Sequence, residues 1–305
     1  MATLYTQQSK NISKTWLLMG VFLAFIVAIG YFASDYYGNP AIVYFAIIFS
    51  IVMNISGYWF SDKVALAVSG AKPIQREENR ELYRIVENLS ITAGIPMPAL
   101  FLINDPSPNA FATGRDKNHA SIAVTSGLLG MMDKTELEGV LAHEMSHIGN
   151  RDILLQSVIV VLVGIIAMMS NIMMRSNFRG GNRDREGGNA IIMIIGIVLV
   201  ILSPIVATII QLAISRKREF LADATGALIT RYPEGLASAL QKISDYPRGL
   251  AKASNATAHM FIANPFGGDS DSDGALDKNE KISWLAKMFM THPPVEERIK
   301  ALLGK

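Results

Sequence analysis

The 305-residue chain has no cysteine. A disulfide framework, a thiol nucleophile and a Cys-ligated zinc site are therefore excluded. Charge is scarce too: Asp, Glu, Lys and Arg supply 18% of residues, against roughly 25% in an average soluble domain. Hydrophobic residues supply 50%, and that balance points to a bilayer as part of the solvent. Neither sign of charge dominates. A formal net charge of +2 is too small for a basic face to lead the reading, so no nucleic-acid partner is expected.

Four apolar stretches are long enough to cross a membrane, which takes ~20 residues: 15–33, 41–60, 153–174 and 190–214. Between the first two, Tyr36 and Tyr37 suit an interface while Gly38 and Pro40 suit a reversal, so the pair reads as a hairpin. Lys10 and Lys14 ahead of the first stretch also fit a cleaved signal peptide. The length of the run, the lack of a clear A-x-A site and the second span at once behind it favour a retained helix. The third and fourth stretches hold no charged residue. Buried soluble helices are the alternative for them, a weak one at this length.

Basic residues near the span ends set the orientation. Lys10, Lys14, Lys63, Lys72, Arg76, Arg151, Arg216, Lys217, Arg218 and Arg231 share one face if every stretch crosses, and they outnumber Arg175, Arg179, Arg183 and Arg185 on the other. The expected arrangement is a hairpin at 1–60, a cytoplasmic segment at 61–152, a second hairpin at 153–214 and a second cytoplasmic segment at 215–305. The two polar segments then build one catalytic domain on the same membrane face. The fold class is α+β, a mostly helical integral membrane protein with four transmembrane helices and a small sheet.

Within the first polar segment, Leu82, Ile85, Val86 and Leu89 predict a helix over 77–89. Strands are predicted at 99–103 and 120–125, with Asn109, Ala110, Phe111 and Ala112 extended between them. Asp133 with Glu136 three residues on reads as a capping-box helix start. The helix it opens carries His143-Glu144-Met145-Ser146-His147 toward the third stretch.

Histidines at i and i+4 point the same way from a helix and can grip one zinc ion, with the intervening Glu144 placed as general base on the attacking water. The bland reading is two histidines on a polar helix face. A catalytic zinc usually takes three protein ligands, so a third belongs near the same membrane face. Just after the fourth stretch come Glu219 and Asp223, again at i and i+4. His147 and Glu219 each lie ~6–9 Å of helix from a span end, so the spans themselves bring them together. Asp223 is placed to accept a hydrogen bond from a ligand histidine and fix its tautomer. A solvated face balancing Arg216, Lys217 and Arg218 is the alternative for this acid pair.

Four motifs in order are Asn109-Ala110-Phe111-Ala112-Thr113-Gly114, the His143 to His147 pentapeptide, Ser215-Arg216-Lys217-Arg218-Glu219-Phe220-Leu221-Ala222-Asp223, and Thr291-His292-Pro293-Pro294 followed by Arg298-Ile299. In these the chain resembles the HtpX heat-shock family of membrane zinc endopeptidases, relatives of the CAAX prenyl proteases, and the resemblance covers most of its length. It implies a zincin-like domain with one Zn2+ per chain on His143, His147 and Glu219, and Glu144 as base. It further implies that Asn109 to Ala112 form an edge strand to which substrate backbone pairs, that His292 helps stabilise the oxyanion, and that Arg298 braces the site. A helix-start role before Pro293 and Pro294 is the alternative for His292. The implied setting is a bacterial inner membrane with the site facing the cytoplasm, and the implied substrates are misfolded or membrane proteins. An inactive scaffold or chaperone that kept a zinc site is the rival reading. A channel or transporter is weaker still, for want of charge within the apolar stretches.

One segment departs from that resemblance. Asp269, Asp271, Asp273, Asp277 and Glu280, with Gly274 at position 6 and Leu276 at 8, match a twelve-residue calcium loop. The entering segment 261–268 makes a poor helix, and a Gly/Ser/Asp linker needs no Ca2+. His119 and His259 read as structural or solvent-facing. Pro204 would kink the fourth stretch, and Gln156 and Asn171 suit hydrogen bonds between spans. Oligomeric state and cleavage preference have no signature in the sequence.

Overall fold

The computed structural model describes residues 4–162, 164–165, 216–254, 256–266 and 293–304. Helices α1 (Leu4–Tyr37) and α2 (Ala41–Val68) form a hairpin. Its reversal rests on Gly38 at φ 61°, with Asn39 N–H donating to Ser34 O at 3.1 Å and Ala41 N–H to Asn39 Oδ1 at 3.0 Å. Within them, Ser9–Tyr37 and Ala41–Val68 are long and apolar enough to cross a membrane. Their outer faces expose Phe32, Tyr44, Phe45, Ile48, Val52 and Ile55, a distribution that suits lipid and not water. Helix α2 runs beyond the predicted span end at 60 and carries the chain into the polar domain.

That domain is built on a four-stranded sheet of order β1-β2-β4-β3, from β1 (Lys72–Pro73), β2 (Ala99–Ile103), β3 (Ala110–Asp116) and β4 (His119–Thr125). Strands β2 and β4 are parallel and the other pairs antiparallel, with Ala110 opposite Val124 and Phe111 opposite Ala123. The segment read as extended is thus strand β3 at one edge. It turns into β4 where Asp116 Oδ1 accepts from Asn118 N–H at 2.8 Å and His119 N–H at 3.0 Å. Gly114, at φ 143°, is required there, because a Cβ would stand 2.2 Å from His119 O.

Around the sheet lie α3 (Arg80–Ala93), α4 (Ser126–Met131), α5 (Lys134–Gly149), α6 (Asp152–Leu162), α7 (Arg216–Thr230), α8 (Pro233–Ser244), a 3-10 turn at Ala258–Met260 and α9 (Val295–Leu303). The helix predicted over 77–89 begins later, because Asn79 caps it by accepting from Leu82 N–H, and it ends at Gly94 with φ 64°. Helix α5 starts on the capping box of Asp133 and Glu136. Val86, Ile122, Val140, Leu141, Met145, Leu236 and Leu240 make the core between α3, the sheet, α5 and α8. Helix α5 is buried from Leu137 through Ile148 almost without interruption, and α3, α7, α8 and strand β3 pack about it. Of the third predicted span the described part is α6 with 164–165; the fourth lies outside the described residues.

Candidate metal centre

One turn of α5 separates His143 from His147, and their rings meet edge to face with Nε2 atoms 3.2 Å apart. Helix α7 crosses α5 closely, since a Cβ on Gly226 would lie 3.0 Å from His143 N. That approach brings Glu219 to both rings: Oε2 is 3.8 Å from His143 Nε2, and Oε1 is 3.8 Å from His147 Nε2. The three side chains are 1%, 5% and 3% exposed, and their ligand atoms all lie within 4.8 Å of one another. Among the described residues this is the one such cluster.

Both imidazoles are fixed from behind. His143 Nδ1 is 2.9 Å from Asp223 Oδ1, and His147 Nδ1 is 3.1 Å from Asp152 Oδ2. A ring that donates Nδ1–H to a carboxylate presents a lone pair at Nε2. Two lone pairs 3.2 Å apart beside a carboxylate repel unless a cation lies between them. Nitrogens ~2.0–2.1 Å from a tetrahedral zinc are themselves ~3.3 Å apart, so the spacing fits that ion. Charge makes the same case: Glu144, Asp152, Glu219 and Asp223 outnumber the basic side chains beside them, Arg218, Arg298 and Lys14, and a cation offsets the excess. Without a cation the acids attract a proton instead. Burial alone would lower the His147 pKa, but the Asp152 hydrogen bond and the Glu219 charge push it up to about 9. His143, where burial prevails, is lowered.

Glu144 is 1% exposed and, among the described residues, neither carboxylate oxygen has a hydrogen-bond partner of normal geometry. Burial, with Glu219 adding to it, pushes its pKa up to about 7, against the pull of His147 and the backbone of Ala112. The edge strand β3 thus runs past this acid. Along that strand, Ala110 O accepts from Ile262 N–H at 3.0 Å, Asn109 Nδ2 donates to Ala263 O at 3.1 Å, and Phe111 meets Phe261 with ring centroids 5.0 Å apart. Arg298, 0% exposed, donates from Nε to Asp223 Oδ2 at 2.8 Å, from Nη2 to Asp223 Oδ1 at 2.7 Å and from Nη1 to Ile262 O at 3.1 Å. Burial would raise Asp223, but Arg298 overrides it and holds the carboxyl at about 2.

His292 and the calcium-loop residues Asp269, Asp271, Asp273, Asp277 and Glu280 lie outside the described residues. His119 is paired with Asp116 at 2.8 Å and His259 Nε2 is 3.1 Å from Gln156 O; neither joins the metal cluster. Asp152 is the residue that sequence reasoning missed. It sits five positions after His147, and helical periodicity alone does not return it to that ring. Arg151 does so, because its φ of 57° breaks the chain between α5 and α6.

Residues 76–305 match the sequence profile of Peptidase family M48. The chain belongs to peptidase family M48. Beyond the matched region, similarity extends over both N-terminal helices. The chain is 48% identical over 307 residues to a "Protease HtpX homolog" of Caldanaerobacter subterraneus subsp. tengcongensis, covering 98% of this chain and 97% of that one. A "Protease HtpX homolog" of Pyrococcus furiosus is 46% identical over 292 residues, covering 95% and 94%. Among solved structures, S. mikatae Ste24p shares the fold at a TM-score of 0.50 and 18% identity, over 98% of this chain and 67% of that one. With its relatives, this M48 member is a membrane metalloprotease, and the inactive-scaffold reading is not favoured.

Proposed function

We propose that the chain is a zinc endopeptidase whose metal is held by His143, His147 and Glu219 and whose general base is Glu144. The observation that carries this reading is the pair of buried Nε2 atoms 3.2 Å apart, each imidazole backed by a carboxylate. Zinc bound there supplies Lewis acidity toward a peptide carbonyl and lowers the pKa of water. Glu144, buried beside the backbone of Ala112, takes the proton from the attacking water and passes it to the leaving amine. Its pKa of about 7 belongs to the metal-free site; a nearby cation favours the carboxylate form. Asp223 and Asp152 hold the imidazoles in the ligating tautomer, and Arg298 holds Asp223. His292 donates to the developing oxyanion.

Substrate backbone adds to the edge of β3 at Ala112, beside Glu144, in an extended conformation that a folded protein rarely offers. Unfolded and membrane proteins are therefore the substrate class, and quality control in a bacterial inner membrane is the role. Four spans place 61–152 and 215–305 on the cytoplasmic face as two parts of one catalytic domain. Asn11, near the start of the first span, touches Asn150 and Asp152 beside the metal cluster, which supports a site close to the membrane surface.

The test is cleavage of an unfolded protein such as casein by the detergent-purified chain, with and without zinc, beside Glu144→Gln at equal metal content. Cleavage by the zinc-loaded wild type alone is the expected result. Equal cleavage by Glu144→Gln, or cleavage that survives removal of zinc, would overturn the assignment.

A further inference from the structure

Each imidazole of the metal centre leans on a carboxylate, and different parts of the chain hold the two carboxylates. Behind His143, Asp223 is gripped by Arg298. Behind His147, Asp152 meets the first membrane helix: Asn11 Nδ2 donates to Asp152 Oδ1, and the same amide lies 3.2 Å from Asn150 O. Arg218 Nη1 is 3.9 Å from Asp152 Oδ1, beyond hydrogen-bond reach. Asn11 is 2% exposed although it belongs to the apolar segment Ser9–Tyr37. An amide buried in such a helix is costly unless it is paired, and its partners lie 139 and 141 residues away at the junction of α5 and α6. The peptidase mechanism above makes no use of it.

We propose that Asn11 is a positioning residue for the metal centre, fixing the Asp152 carboxylate against His147 and so tying zinc affinity to the docking of the first membrane helix. This rests on the zinc-site reading. A carboxylate bonded only to His147 could turn about its side-chain torsions, and the imidazole would turn with it. A second bond from a packed helix removes that freedom. Because the amide also faces Asn150 O, it holds Asp152 in register with the last turn of α5, where His147 sits. The N-terminal hairpin is in this way part of the active site's support as well as a membrane anchor.

The experiment uses the full-length chain in detergent. Zinc affinity is measured by competition with a chromophoric chelator, and ligand geometry by the visible spectrum of the cobalt-substituted protein. Asn11→Leu should weaken zinc ~10-fold, the low end for residues that orient a ligand, and should alter the cobalt spectrum. In an Asp152→Ala background it should weaken zinc no further. Thr15→Val is the control, since Thr15 lies buried one turn along and, among the described residues, bonds only to Asn11 O within its own helix; it should leave both readouts unchanged. Asn11→Ala, which cannot overpack, replaces Asn11→Leu if that variant does not survive purification. Unchanged affinity and spectrum in the Asn11 variants would overturn the proposal, as would losses that add to those of Asp152→Ala or an equal loss in Thr15→Val. A wild-type chain that binds no zinc, or a His143→Ala chain that still binds it, would remove the zinc-site reading itself and this proposal with it.

Discussion

Replacing Arg298 by methionine takes a positive charge and three hydrogen bonds from a place with no solvent. The side chain is 0% exposed and bonds Asp223 at 2.8 and 2.7 Å and Ile262 O at 3.1 Å. Asp223, 2% exposed, would be left as a carboxylate with His143 as its remaining partner among the described residues. Removing one partner of a buried ion pair costs about 3–5 kcal/mol. The depressed pKa of Asp223, about 2 against an ordinary ~3.9, corresponds to about 2–3 kcal/mol at neutral pH, so the two routes agree in order of magnitude. Arg298→Met should therefore lose several kcal/mol of stability, read by denaturant titration in detergent. Adding Asp223→Asn removes the stranded charge, and the double variant should recover most of that loss. Zinc affinity should separate from stability here. An asparagine oxygen is a weaker acceptor for His143 Nδ1–H than the carboxylate, so the double variant should bind zinc ~10–100-fold more weakly even as its stability recovers. A loss below about 1 kcal/mol in Arg298→Met, or a double variant as unstable as the single one, would refute the buried-pair reasoning.

Glu144→Gln should keep its zinc by elemental analysis and lose turnover by ~10²–10⁴-fold, the range for a general base. His143→Ala and Glu219→Ala should each purify without bound zinc at metal concentrations that saturate the wild type. Gly226→Ala should push α7 from α5, because its Cβ would meet His143 N at 3.0 Å and Cα at 3.2 Å; the expected cost is about 1–3 kcal/mol with weakened zinc binding. Gly139→Ala, whose Cβ would meet Leu236 N at 2.7 Å on α8, should destabilise without that loss of affinity. Acidification from pH 7 to pH 4 should release zinc, by protonating its ligands, while near-UV circular dichroism persists. Asp223 has a folded pKa of about 2, below its unfolded ~3.9, so its contribution is complete above pH ~4 and is lost as pH falls through ~2.

Local signals in the sequence were the ones that could be read directly. Asp133 and Glu136 form the capping box that starts α5, and two histidines at i and i+4 need only a helix to converge. Long-range arrangements left no such trace. Strand β1 is two residues, Lys72 and Pro73, held by pairing with Leu102 and Phe101, and the parallel match of β2 with β4 joins segments no periodicity connects. The offset of α3 is a capping effect: Asn79 supplies the acceptor, so the helix waits for Arg80. Helix α8 leaves a local signal too, with Pro233 at its first turn and Leu236, Leu240 and Ile243 on its buried face.

The candidate site repeats that division. Glu219 and Asp223 stood out because their spacing matches that of the histidines. Asp152 did not, because its position depends on the left-handed Arg151, a conformation that non-glycine residues adopt only where the surrounding structure over-determines it. Part of that over-determination comes from Asn11, which bonds both sides of the break, Asn150 O and Asp152. The strained residue, the carboxylate behind His147 and the membrane helix therefore form one device. Its energetic effects should be strongly non-additive, since residues sharing one hydrogen-bond network couple where distant sites do not. By the same reasoning Asn11 and Arg298, which act on different histidines through different carboxylates, should perturb zinc affinity independently. Coupling between those two variants would mean that the histidine pair moves as a single unit on α5.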